Sequence, residues 1–221
     1  MNEKKNLTTK ETFALAIQNH QKNNLKVAEN LYKEVLKINP NHVGALNNLG
    51  IIFNELKEYQ KAKKIYEKIL DIDPNYAHAH NNLGSILLNL NNIEKAKNCF
   101  EKAIKINSNF LDAYNNLGSL FKVLGEYQKA ISCFKKAIEL NPNHAGAHSN
   151  LGAVQNELGE PQKAISCFKK AIELNPNYAD AYNNLGIIFE ELGETQKAKS
   201  CYEKTIELNP NHTAAYNNLG I

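Results

Sequence analysis

One phrase of five residues recurs along the chain at a constant step of 34. It reads Leu46-Asn47-Asn48-Leu49-Gly50, His80-Asn81-Asn82-Leu83-Gly84, Tyr114-Asn115-Asn116-Leu117-Gly118, His148-Ser149-Asn150-Leu151-Gly152, Tyr182-Asn183-Asn184-Leu185-Gly186 and Tyr216-Asn217-Asn218-Leu219-Gly220. A fixed period in this range is the signature of a stacked repeat protein, whose repeats bury their apolar faces against one another rather than around one centre. It overrides the one or two globular domains that 221 residues would otherwise suggest. Apolar residues make up 43% of the chain, enough for a continuous core.

The frame divides the chain into a polar leader, 1–8, and repeats 9–42, 43–76, 77–110, 111–144, 145–178 and 179–212. The last nine residues, 213–221, open a seventh repeat, as in a segment of a longer protein. Each repeat carries two helical patterns. In 111–144 the first is the stripe Ala113, Tyr114, Leu117, Leu120, Phe121 and Leu124, at steps of three and four. Gly125 ends it, as a helix C-terminal glycine does. The second is Ala130, Ile131, Phe134, Ala137 and Ile138, which Asn141-Pro142-Asn143 stops. Gly118 and its equivalents sit inside a helix, where glycine costs up to ~1 kcal/mol against alanine. Their recurrence implies a close helix approach. Tyr32, Tyr66, Phe100, Phe134, Phe168 and Tyr202 supply the large partners.

The aromatic, Leu-Gly, Ala, aromatic, Ala and Pro slots, recurring in phase over about 9–221, identify the chain as similar to the tetratricopeptide repeat family. The resemblance implies an all-α fold. Antiparallel helix pairs stack into a right-handed superhelical solenoid, six full repeats and the start of a seventh, with first helices lining a concave groove and second helices forming the outer wall. The departures are local. Thr12 and Ala16 at the aromatic and glycine slots suit a capping first repeat, Ser108 replaces a proline, and Pro161 falls at a tolerated helix start. Thr205, which replaces an alanine, and Ile69, which enlarges the same slot, are expected to loosen the packing there.

Charge and cysteine usage exclude several functions. The net charge is only +3, and all 26 basic residues are lysines, spread along the helices. Without arginine there is no bidentate fork for phosphate or guanine, which argues against nucleic-acid reading. No apolar run is long enough for a signal peptide or a membrane span, so a soluble, cytoplasmic protein is expected. Cys99, Cys133, Cys167 and Cys201 again lie 34 apart, on helices that pack about 8–10 Å from one another, too far for disulfides. They read as small, partly buried apolar residues.

No catalytic constellation stands out, and neither cofactor nor metal is expected. His42, His144 and His212 share a slot with Tyr76, Phe110 and Tyr178, while His80 and His148 share one with Tyr114, Tyr182 and Tyr216. Both slots read as packing positions. The pair His144 and His148 has no third ligand phased to it.

The better candidate is a ladder: Asn48, Asn82, Asn116, Asn150, Asn184 and Asn218, each just before Leu-Gly. An asparagine amide offers a donor and an acceptor, as does every residue of a peptide backbone. The ladder resembles that of the tetratricopeptide arm of O-linked N-acetylglucosamine transferases, which implies binding of protein substrates by their backbones. The neighbours Asn47, Asn81, Asn115, Asn183 and Asn217 face the groove edge by the same family geometry. Asp112, Asp180, Glu55, Glu157, Glu190 and Glu191, with Lys122 the exception, give the groove an acidic tilt suited to a polar or basic partner. The lysine and arginine clamp by which chaperone-binding relatives hold a terminal carboxylate is missing.

The reading is thus a non-enzymatic protein-interaction scaffold that holds an extended peptide segment in its concave groove. A first alternative is the substrate-recruiting arm of a larger glycosyltransferase, or another transferase, with its catalytic domain beyond residue 221. A second is self-association through the uncapped carboxyl-terminal edge.

Overall fold

A computed structural model describes residues 7–220. Residues 1–6 of the predicted leader, and Ile221, lie outside them. Among the described residues the chain forms thirteen α-helices and no strand. Two compact units divide it at Phe110 and Leu111. The amino-terminal unit holds α1 (Thr9–Gln21), α2 (Leu25–Ile38), α3 (Val43–Glu55), α4 (Tyr59–Ile72), α5 (Ala77–Asn89) and α6 (Ile93–Ile106). The carboxyl-terminal unit holds α7 (Leu111–Val123), α8 (Tyr127–Leu140), α9 (Ala145–Glu157), α10 (Pro161–Leu174), α11 (Ala179–Glu191), α12 (Thr195–Leu208) and α13 (Thr213–Leu219). Within each unit every helix packs on the next in sequence, and in the second unit α7 also touches α9, α9 touches α11 and α11 touches α13. Odd-numbered helices therefore form one layer there, and even-numbered helices the other.

Local chemistry explains where the helices start and stop. Thr8 caps α1 through a reciprocal box with Glu11, each side chain bonded to the other's backbone N–H. The turn inside each hairpin passes through one residue at positive φ: Asn23, Lys57 and Asn91 at 59°, 58° and 56°, then Gly125, Gly159 and Gly193 at 72°, 70° and 75°. Glycine and asparagine tolerate this region, whereas a lysine is strained in it. Between hairpins the first residue of each Asn-Pro-Asn triplet accepts the backbone N–H two residues on, as Asn141 does from Asn143 at 3.0 Å. Asn107 accepts from Asn109 at the same 3.0 Å with Ser108 between them. The asparagine makes this turn, and the proline is dispensable to it.

The core is the meeting of glycine and aromatic that the period implies. Tyr66, Phe100, Phe134, Phe168 and Tyr202 are all at most 2% exposed, and each ring lies against a glycine of the first helix in its own repeat. A Cβ built on Gly84 would stand 2.6 Å from Phe100 Cε1, so only glycine admits the ring at this approach. Ile69 and Thr205 are both 0% exposed. The expected loosening is absent at Thr205, whose hydroxyl donates to the Cys201 carbonyl at 2.9 Å one turn back and so enters the core with its polar atom satisfied.

Candidate functional site

All six ladder asparagines sit on odd-numbered helices and are half-buried. Their amides are mostly engaged within the protein. Asn82 Nδ2 donates to Asn47 Oδ1 at 3.5 Å, Asn150 Nδ2 to Asn115 Oδ1 at 3.0 Å, and Asn218 Nδ2 to Asn183 Oδ1 at 3.4 Å. The second asparagine of one repeat thus reaches the first asparagine of the repeat before it. Asn48 Nδ2 instead donates to the Tyr32 hydroxyl at 3.1 Å, and Asn82 also meets the hydroxyl of Tyr66. Asn116 is engaged as well. Asn48, Asn82, Asn150 and Asn218 are thus staples between consecutive repeats.

The first asparagines of the doublets, given the lesser role in the sequence reading, are therefore half of the device. The doublet itself, repeated in phase, is the signal that could have found them. The oxygens tell a different story from the nitrogens. Asn150 and Asn218 donate through Nδ2, and no described group donates to their Oδ1. These oxygens remain able to accept an N–H from outside.

The carboxylates assigned to the groove are all exposed, but three have internal partners. Glu190 accepts from the Tyr202 hydroxyl at 2.6 Å, while Asp180 lies 3.2 Å from His212 Nε2 and Glu55 lies 3.5 Å from His20 Nε2. Burial first, and then the Glu190 carboxylate, pushes the Tyr202 phenol well above its ordinary value. Burial also raises the phenols of Tyr66 and Tyr32.

The histidines do more than pack. His42, His144 and His212 accept the backbone N–H of Ala45, Ala147 and Ala215 on Nδ1, at 3.1, 2.9 and 3.2 Å, and so cap α3, α9 and α13. Tyr76 and Tyr178 stand in the same slot without such a bond. His80 and His148 each contact a loop carbonyl, of Pro74 and Pro142, at 2.9 Å through Nε2. Among the described residues no group of three or more His, Cys, Asp or Glu side chains could hold a metal ion. No described helix is long and apolar enough to cross a membrane. The four cysteines are free thiols, and burial pushes those of Cys99, Cys167 and Cys201 upward.

A helix-hairpin array with glycine–aromatic contacts and a polar doublet on its first helices defines a repeat scaffold. The chain belongs to the tetratricopeptide repeat family, whose models match residues 42–109, 111–144 and 145–211. A stretch of 35 residues is 54% identical to the uncharacterized protein ycf37 of Pyropia yezoensis, covering 16% of this chain and only 20% of that relative's length. Among solved structures the chain is similar to YrrB, a tetratricopeptide protein described as having an unusual peptide-binding site. The identity is 25%, the TM-score 0.62, and the match covers 86% of this chain and 98% of YrrB. It is also similar to PilW, a type IV pilus biogenesis factor, at 22% identity and a TM-score of 0.85 over 97% of this chain and 99% of PilW. That second likeness is one of fold alone.

Proposed function

We propose that this repeat scaffold binds an extended peptide segment of a protein partner along its first helices, with ladder asparagines bonding the peptide backbone. The observation that carries the reading is the half-buried row of carboxamides whose oxygens at Asn150 and Asn218 have no internal donor. YrrB, with its peptide-binding site, supports the class of ligand. The exposed carboxylates Asp112, Glu157 and Glu191 favour a polar or basic segment. A net gain of about 0.5–1.5 kcal/mol per hydrogen bond makes each rung weak and several together useful.

The test selects binders from a phage-displayed library of random dodecapeptides and titrates the tightest one. Replacing Asn116, Asn150 and Asn184 together by alanine should weaken it more than tenfold. Asn115→Ala is the control, because it opens the Asn150 staple and keeps the rung. Equal losses in both would assign the ladder to folding alone. A library without a binder would remove the proposal.

Self-association is the second reading, favoured by a cleft of about 660 Å³ beside α12 and α13, lined in part by Ala198, Tyr202, Ile206, Tyr216 and Leu219. Sedimentation across protein concentration decides it. A monomer throughout dismisses it.

A further inference from the structure

The rungs of the ladder are not equivalent, and we infer that Asn184, with Ser149 facing it, is the rung that takes the backbone of the bound peptide. The inference rests on the peptide-binding reading and narrows it to one place on α9 and α11.

Two kinds of partner hold the amides of Asn48, Asn82, Asn150 and Asn218. One is an asparagine 35 residues earlier, as in Asn82 with Asn47, Asn150 with Asn115 and Asn218 with Asn183. The other is a phenol 16 residues earlier, as in Asn48 with Tyr32. At Asn184 both are missing at once. The residue at the first position is Ser149, and the ring at the second is Phe168, which has no hydroxyl. Asn184 consequently makes no side-chain hydrogen bond to any described residue, and neither does the Ser149 hydroxyl.

The geometry of the closed pairs says what would fit. In each of them the amide nitrogen finds a carboxamide oxygen 3.0–3.5 Å away. The serine side chain is shorter by a carbonyl carbon and stops short of that position. A carbonyl oxygen from outside can accept there from Asn184 Nδ2, while Asn184 Oδ1 accepts an N–H. An extended peptide carries both groups on every residue. A second observation points to the same helix. Gln155, further along α9, stands where Phe53, Leu87, Phe121 and Phe189 stand in other repeats. It is 7% exposed, and its Oε1 is buried without a hydrogen-bond partner. Stability alone would place an apolar side chain there. Helix α9 thus carries two polar groups that the fold leaves unsatisfied.

Ser149→Asn rebuilds the staple, and the fold accommodates it, since Asn81 and Asn183 occupy the equivalent slot at 6% exposure. With the selected dodecapeptide as probe, Ser149→Asn and Asn184→Ala should each weaken binding about three- to tenfold. The melting temperature should be unchanged or raised by the first and unchanged by the second. On titration the Asn184 side-chain amide signals in a 15N spectrum should move more than those of Asn150 and Asn218. Ser149→Asn that binds as tightly as the wild type overturns the inference, even where the triple alanine variant has lost binding. A triple variant that still binds overturns the underlying reading instead.

Discussion

Replacing Gly84 by alanine tests the contact on which the repeat is built. The added Cβ would meet Phe100 Cε1 at 2.6 Å, Cδ1 at 2.9 Å and Cζ at 3.0 Å. Carbon atoms in contact prefer about 3.5–4.0 Å, so the ring would have to retreat by about 1 Å. Phe100 is 0% exposed, so any retreat of the ring must displace core neighbours rather than water. Overpacking of this kind costs about 1–3 kcal/mol, and alanine returns up to ~1 kcal/mol of helix propensity. Three atoms at or inside 3.0 Å place the clash toward the upper end, so a net loss of about 1–2 kcal/mol is expected. Gly152 is the internal control. Its Cβ would meet Cys167 Cβ at 3.1 Å and Phe168 Cε1 and Cε2 at 3.2 Å, which small shifts relieve. There the two terms should nearly cancel, to within about 0.5 kcal/mol. Urea midpoints of the two variants against wild type measure the difference, and a thermal scan should show Gly84→Ala melting about 2–8 °C lower. A Gly84→Ala chain as stable as wild type, or a Gly152→Ala chain that loses as much, would refute the argument from close approach.

Two further outcomes follow from the turns and the phenols. Lys57 holds φ at 58°, where glycines stand in the equivalent turns of the second unit; Lys57→Gly should raise stability by about 1 kcal/mol, and an unchanged or lower urea midpoint would contradict this. Burial keeps Tyr66 and Tyr202 protonated above the ordinary phenol range, so the unfolded chain releases those protons first, near pH 10. Stability is then full below about pH 10 and falls as pH rises beyond it. The double variant Tyr66→Phe, Tyr202→Phe should fall less steeply between about pH 9 and 11.5, and parallel curves would show that the phenols carry none of the slope.

Much of this protein is written in its period. The step of 34 determines the helix pairs, because apolar stripes, turn residues and Asn-Pro-Asn stops recur in phase with it. It also determines that glycine and aromatic meet, since a helical glycine repeated at a fixed slot makes sense only beside a large neighbour. These are local or nearest-neighbour properties, and one repeat predicts the next. What the period could not determine is the state of each asparagine. Six residues in one slot look alike in sequence, yet Asn150 is stapled to Asn115 while Asn184 has no side-chain hydrogen bond to any described residue. The difference lies in residues on other helices, Ser149 and Phe168, brought beside it only when the hairpins stack. The histidines divide in the same way: His144 reads as packing and caps α9, its Nδ1 accepting the Ala147 N–H at 2.9 Å. A hydrogen bond needs two groups and a geometry. The sequence supplied the groups, and stacking chose which of them met.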